Sequence, residues 1–313
     1  MHEPIRVAVV QETARPLDLA ATLEQTLSGL EDAARQGAQL VVFGETWLGG
    51  YPAWLDHCPE IGLWDHPAAK SAFARYRRAC PTLDGPEIAR LRQATADLGV
   101  AAVVGLSERV DQGPGQGTLY NSLLTLGADG SVLNHHRKLM PTHTERLVWG
   151  QGDGRGLRSV KTPFGRLGGL ICWEHWMPLA RHTLHLAGET IHVAVWPMVH
   201  TMHQVASRHY AFEGRCFVLA AGQRMRAGDL PEELERRPGL EPDDWVLRGG
   251  SAIYGPDGMA VVEPVFERDD VLIADLDPSA IDRESMTLDV SGHYARPDVF
   301  DFALRSPLPE PDP

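Results

Sequence analysis

Gly168-Gly169-Leu170-Ile171-Cys172-Trp173-Glu174-His175-Trp176-Met177-Pro178-Leu179-Ala180-Arg181 changes character at its fifth residue. The run Leu167–Ile171 is short, apolar and glycine-rich, which predicts a buried strand. From Trp176 onward, Trp176, Leu179, Ala180, Thr183, Leu184 and Ala187 recur at helical spacing. Pro178 suits a first helical turn, where its missing N–H costs nothing, and Gly188 suits a stop. Cys172 is therefore expected on a tight turn between a strand end and a helix N-terminus. Free backbone N–H groups and the helix dipole would there favour a thiolate. Taken alone, a free cysteine is more often a small core residue, so its partners elsewhere decide its role.

Outward from this stretch, strands and helices alternate. Arg6–Val10 predicts a first strand. Leu19, Leu23, Leu27, Leu30 and Ala34 form a helical stripe within Leu17–Ala38, with Gly37 as its stop. Leu40–Phe43 predicts a second buried strand ending at Gly44-Glu45. Residues 46 to 83, rich in Trp, Pro and His, predict a long irregular segment of the kind that forms lids. Asp84 is expected to cap a helix carrying Ile88, Leu91, Thr95 and Leu98. Further strands are predicted at Val100–Leu106, Tyr120–Leu126, Val132–His136, His192–Trp196, Phe217–Ala221, Ser251–Tyr254, Met259–Glu263 and Val271–Leu276. Asp129-Gly130 and Gly255-Pro256-Asp257-Gly258 supply turns. This order predicts an α/β or α+β layered fold. No linker divides it, so residues 1–313 are expected to form one domain, with a loose proline-rich tail at Ser306–Pro313.

Composition narrows the partners. The 313 residues carry a formal net charge of −13, which argues against nucleic acid and anionic membrane surfaces. No apolar window approaches the ~18 residues of a membrane span, and Met1–Val10 lacks the apolar core of a signal peptide. The four cysteines, Cys58, Cys80, Cys172 and Cys216, form no C-x-x-C pair, and a reducing cytoplasm is expected. The 14 histidines include the pairs His135-His136, His182/His185 and His200/His203, but no H-E-x-x-H motif or carboxylate bracket. They are read as helix-surface and loop residues, and no metal is expected. Gln151–Gly156 is glycine-rich but fits neither phosphate-binding pattern, and no G-x-S-x-G elbow occurs.

A cysteine nucleophile needs a base and a group that holds developing negative charge. Glu45 and Lys138 each follow a predicted strand, as Cys172 does, although spacing alone leaves a solvated surface role open for both.

Three segments together carry a resemblance. Phe43-Gly44-Glu45-Thr46, His136-Arg137-Lys138-Leu139-Met140-Pro141-Thr142 and Leu170-Ile171-Cys172-Trp173-Glu174 are similar to the glutamate, lysine and cysteine motifs of the carbon–nitrogen hydrolase (nitrilase) superfamily. Pro141–Gly154, Trp176–Arg181 and Asp289–Asp298 resemble segments of its nitrilase branch, and the likeness spans about residues 5 to 303. It implies a four-layer α-β-β-α sandwich, a Glu45–Lys138–Cys172 triad, and a second glutamate at Glu145. It implies hydrolysis of a nitrile to acid and ammonia without a cofactor. An amidase or carbamoylase reaction, or hydration of a nitrile or cyanide to the amide, is the alternative. It also implies homo-oligomers built from dimers that pack the helix after Cys172. Family members often carry Asn where this chain has His175, and the filament-forming ones have a longer C-terminal extension.

In the implied chemistry Glu45 takes the thiol proton, Lys138 and the Trp173 N–H hold the developing anion, and Glu145 helps activate water. A lysine between two glutamates keeps its charge. Trp47, Tyr51 and Trp54 of the loop after Glu45, with Trp173 and His175, are expected to wall the substrate pocket, together with Pro197–His203.

Overall fold

The computed structural model describes residues 3–305. The tail expected at Ser306–Pro313 lies outside them. Five strands come first: β1 (Ile5–Gln11), β2 (Leu40–Val42), β3 (Ala101–Arg109), β4 (Leu119–Leu126) and β5 (Val132–Arg137). Eight follow: β6 (Val160–Thr162), β7 (Gly165–Ile171), β8 (Ile191–Val195), β9 (Phe217–Ala221), β10 (Arg224–Arg226), β11 (Trp245–Tyr254), β12 (Ala260–Phe266) and β13 (Asp270–Leu276). One sheet runs β13-β1-β2-β3-β4-β5, the other β10-β11-β9-β8-β7-β6, with β12 on β11. β1–β2–β3 and β7–β8–β9 are parallel, and the outer pairings are antiparallel.

The layering follows from strand alternation. Val7 and Val9 of β1 point into the core shared with the second sheet, while Ala8 and Val10 point the other way. Helices α1 (Leu19–Arg35) and α4 (Pro86–Leu98) cover that outer face, with Leu23, Leu30, Ile88 and Leu91 against Val41, Phe43 and Val104. On the far side α5 (Pro178–Leu186) and α6 (Thr201–Gly214) pack Ala180, Leu184, Ala206 and Tyr210 on the second sheet. The result is the α-β-β-α sandwich.

Asp18 caps α1 by accepting the Ala21 N–H at 2.9 Å, and Gly37 turns the chain at φ +83°. The cap of α4 differs from expectation. Gly85 holds that position and Pro86 occupies the first turn, so a fixed proline φ replaces an Asp84 cap. Residues 46–83 are not irregular. They contain α2 (Trp54–His57) and α3 (Pro67–Arg78). α3 buries only Ala72 and Tyr76, too thin a stripe to register as a helical period. α6, β6, β10 and α7 (Ser279–Ser285) also go unpredicted. α6 hides because its buried face mixes His203, Ser207 and Tyr210 with two alanines.

Candidate active site

All three motif segments end at the same edge of the two sheets. Glu45 follows β2, Lys138 follows β5 and Cys172 follows β7. For β2 and β7 this is the carboxyl end of a parallel strand, where sheet geometry opens a crevice. The backbone there is bent: Thr46, His143 and Cys172 have φ of +49°, +45° and +52°. Such conformations cost about 1–3 kcal/mol each and persist where the surroundings hold them. Gly105 on β3 is one cause. A Cβ there would collide with the Gly44 carbonyl oxygen and crowd Thr46 N.

Cys172 sits on the expected tight turn between a strand end and a helix start. That turn is 3-10, Cys172–Trp176, and α5 begins at Pro178. Its buried face is Ala180, Leu184 and His185, while Leu179 faces outward.

Lys138 Nζ donates to Glu45 Oε1 at 3.0 Å and to Glu145 Oε2 at 2.7 Å, all three side chains being sealed from solvent. Cys172 Sγ and one carboxylate oxygen each of Glu45 and Glu145 lie within 4.8 Å of one another. That spacing would also suit a metal ion, but the Lys138 ammonium already contacts both carboxylates. Asn121 Nδ2 donates to Glu45 Oε1 at 2.6 Å, and the Asn121 carbonyl accepts the Lys138 N–H at 2.8 Å. Gln223 Nε2 donates to the Glu45 carbonyl oxygen. Among the described residues Glu45 Oε2 has no hydrogen-bond partner, which leaves one oxygen free to take a proton. Glu145 is held by the Thr142 N–H at 2.7 Å and the Tyr51 hydroxyl at 3.1 Å.

The charges are set by burial. Burial pushes the Glu45 carboxyl up to about 7, against the pull of Lys138 and with the push of Glu145. Burial alone would strip the Lys138 proton, but the acidic groups Cys172, Glu45 and Glu145 hold it well above its usual value. The Cys172 expectation is overturned. Burial and the Glu45 charge raise its thiol well above the usual cysteine value, more than Lys138 and the Trp173 N–H lower it. At rest Cys172 is a thiol, and its proton must leave as it attacks.

Glu174 joins two motifs. Its carboxylate accepts the Ile171 and Leu139 N–H groups, both at 2.7 Å, and contacts His136 Nε2 at 3.0 Å. The turn carrying Cys172 is thus clamped to the segment carrying Lys138. Asn121, Gln223 and Glu174 were not singled out from the sequence. The one available signal was Asn121 beside Ser122, an adjacent pair of polar residues in a strand otherwise rich in leucine.

A cavity of about 270 Å³ opens on Cys172, walled in part by Tyr51, Trp173, Met198, His200, His203 and Leu247. Tyr51, Trp173 and, from the Pro197–His203 stretch, Pro197, Met198, His200 and His203 line this cavity. Trp173 is 52% exposed, so its ring stands at the mouth while its N–H faces the sulfur. Three expected wall residues are elsewhere. Trp47 is wholly buried under α1 and donates Nε1–H to Thr26 Oγ1 at 2.8 Å. Trp54 packs edge-on against Tyr76 in a separate apolar cluster. His175 lies behind Cys172, stacked on Trp196 and away from the cavity. Most described histidines are partly or fully exposed, as expected, but five are not. His136, His175, His185, His192 and His203 are all buried. Burial lowers the His57 and His200 pKa values and brings His203 down to about 4, so these cavity imidazoles are neutral near pH 7.

A buried Glu–Lys–Cys cluster at the carboxyl edge of an α-β-β-α sandwich matches a known family. The carbon–nitrogen hydrolase family model aligns with residues 6–283, and the chain belongs to that family of hydrolases acting on carbon–nitrogen bonds. Within it the chain stands with the nitrilases. It is 41% identical over 299 residues to an aliphatic nitrilase from Sinorhizobium fredii, covering 96% of this chain and 95% of that one. It is 38% identical over 306 residues to a bifunctional nitrilase/nitrile hydratase from Lupinus angustifolius, covering 96% and 86%. The fold is shared with a carbon–nitrogen hydrolase from Helicobacter pylori (TM-score 0.69, 18% identity, 91% and 93% covered). It is also shared with a CN-hydrolase superfamily protein from Xanthomonas campestris (TM-score 0.70, 21% identity, 97% and 100% covered). Among the described residues no helix is long and apolar enough to cross a membrane.

Proposed function

We propose that this protein hydrolyses a short aliphatic nitrile to the carboxylic acid and ammonia. The observation that carries the proposal is the sulfur of Cys172 within 4.8 Å of two carboxylates that share the Lys138 ammonium. Glu45 Oε2 takes the thiol proton as Sγ bonds to the nitrile carbon, and the proton passes to nitrogen, giving a thioimidate. Glu45, with Glu145, draws a proton from water as its oxygen adds. Lys138 and the Trp173 N–H hold the anion. The tetrahedral intermediate takes a proton on nitrogen and expels ammonia, leaving a thioester. A second water releases the acid and restores the thiol.

Two features support a small, uncharged substrate. The cavity is below the roughly 300–1,000 Å³ of drug-sized pockets, and burial keeps the His57, His200 and His203 imidazoles on its wall neutral near pH 7. The aliphatic nitrilase relative agrees in class. A second product has its own support. Expulsion of the thiol in place of ammonia yields the amide, and a relative of similar identity is named as both nitrilase and nitrile hydratase. Mass spectrometry of products from a mixed panel of nitriles and matching amides tests both. Conversion of amides but no nitriles would overturn the proposal.

Our reading extends to assembly and setting. One apolar core links both sheets with α5 and α6, which supports a single domain. Exposed Trp176, Leu179, Leu186, Met202 and Val205 on α5, α6 and the turn before them favour a homo-oligomer built from dimers. Four free, buried cysteines suit a reducing cytoplasm.

A further inference from the structure

Behind Cys172 runs a buried line of ring nitrogens and carboxylates that the mechanism above does not use. His175 Nδ1 lies 2.7 Å from the Cys172 carbonyl oxygen. His175 Nε2 lies 3.0 Å from His192 Nε2, and His192 Nδ1 lies 2.9 Å from Glu189 Oε2. The side chains of His192 and Glu189 are wholly enclosed, and His175 is 1% exposed. Tyr210 donates its hydroxyl to Glu189 Oε1 and stacks on His192, with ring centroids 3.7 Å apart. Arg181 NH1 donates to the His175 carbonyl at 2.9 Å, pinning the turn from outside.

Counting protons along this line gives a charge. The Cys172 carbonyl only accepts, so His175 Nδ1 carries hydrogen. Burial would raise the Glu189 carboxyl, but the charges and hydrogen bonds of His192 and His185 hold it down at about 2, so it too only accepts. His192 Nδ1 therefore also carries hydrogen. The contact between the two Nε2 atoms needs a third proton. Two neutral imidazoles supply only two, so the pair bears one positive charge, balanced by Glu189. Burial first, and the neighbouring His192 second, drive the His175 pKa far down, so His175 is the poorer seat for that charge. The other titratable groups on the pair are Tyr210 and His203 of α6 and His185 of α5, the last also 3.4 Å from Glu189.

The consequence lies in the peptide unit. The Cys172 carbonyl and the Trp173 N–H belong to one amide group. A hydrogen bond into the oxygen draws electron density from the nitrogen and strengthens its N–H as a donor. We propose that His175, His192 and Glu189 form a positioning relay in which a buried imidazolium–imidazole pair polarises the Cys172–Trp173 peptide and loads the Trp173 N–H toward the reacting anion. The proposal rests on the reading of Cys172 as a nitrile-attacking nucleophile. An Asn amide at position 175 keeps a donor for the Cys172 carbonyl but has no ring nitrogen to pair with His192.

The test uses the full chain with propionitrile, in the wild type, His175→Ala and His175→Asn. Ethylation of Cys172 by iodoethane runs in parallel, since that displacement calls on the Trp173 N–H only as the sulfur sheds its proton and builds no anion on substrate nitrogen or oxygen. Losing a donor outright costs about 10²–10³ in kcat. Losing its polariser should cost less, about tenfold in His175→Ala, with KM and ethylation rate within about threefold and partial recovery in His175→Asn. Unchanged kcat, or kcat and ethylation falling together, would overturn the relay. Nitrogen-15 spectra of the histidine-labelled wild type supply a readout independent of any variant's folding. Three protonated ring nitrogens on the His175–His192 pair at pH 8 support the proposal, and two overturn it. A wild type that converts no nitrile refutes the functional reading instead, while the spectra still decide the charge of the pair.

Discussion

Lys138→Met removes the one cation between two buried carboxylates and leaves a side chain of similar length. Breaking a buried ion pair from one side costs about 3–5 kcal/mol, because the partner charge stays buried. In a chain of this size about 2 °C of Tm accompanies each kcal/mol, so a deficit of about 6–10 °C is expected. The deficit must depend on pH. Without Lys138, two carboxylates with oxygens within 4.8 Å cannot both ionise, and a folded-state pKa rises far above the ordinary value near 4.5. A raised pKa contributes stability that is fully present below about 4.5 and lost as pH rises through the folded value. The Tm gap to wild type should therefore be widest near pH 8 and narrow toward pH 5. Turnover of a nitrile should fall by about 10²–10³ from loss of the anion-holding donor. Thermal unfolding across that pH range, with kcat at saturating nitrile, measures both. A Tm gap that does not change with pH would refute the shared-cation account, and kcat within tenfold of wild type would remove Lys138 from the reaction.

Glu45 acts as a base only when ionised, and its carboxyl is held at about 7. kcat/KM should therefore fall about tenfold per unit as pH drops below about 7, and a profile flat from pH 5 to 7 would argue for another base. Trp47→Phe deletes the buried bond to Thr26 Oγ1 and should cost about 1 kcal/mol in urea unfolding with kcat/KM within twofold; a specific loss of turnover would return Trp47 to the substrate wall. Glu174→Ala strands the Ile171 and Leu139 N–H groups and His136, and should destabilise by about 3–5 kcal/mol. Burial opposes the Glu174 charge, but His136 and the two N–H groups hold the wild-type carboxyl low. Its contribution is thus present above about pH 4.5 and lost as pH falls below it, so the gap between the two proteins should close in acid.

Wherever an element buries one apolar stripe, its sequence announces it. The Leu23–Leu30 face of α1, the alternation of β1 and the strand before Cys172 are legible because burial requires those side chains at those intervals. The three motif segments are legible for another reason, since their likeness to a family carries the meeting of Glu45, Lys138 and Cys172 that spacing cannot. What stays hidden is burial driven by polar pairing. Spacing alone does not mark His192 as buried under Tyr210, because what holds it there is the pairing with Glu189 and with a ring seventeen positions upstream. The same holds for Trp47 and Tyr51, two aromatic residues of one loop. Trp47 turns inward because Thr26 satisfies its N–H, while Tyr51 reaches the site because Glu145 accepts its hydroxyl.

That hidden class includes the groups that set the chemistry. The thiol of Cys172 sits where burial and Glu45 oppose its ionisation, so the turn beneath it does not preform a thiolate. The site instead places a half-ionised carboxylate beside the thiol and a permanent cation beside the carboxylate. Negative charge then appears only once the nitrile carbon is being attacked, at the moment when Lys138 and the Trp173 N–H can hold it. Interactions that strengthen in the transition state and not before are the ones that raise kcat. A permanently charged thiolate would spend the same Lys138 field on the resting enzyme. The raised thiol pKa is therefore part of how this cluster would work, and a Cys172 titrating below pH 7 in the free protein would contradict that order of events.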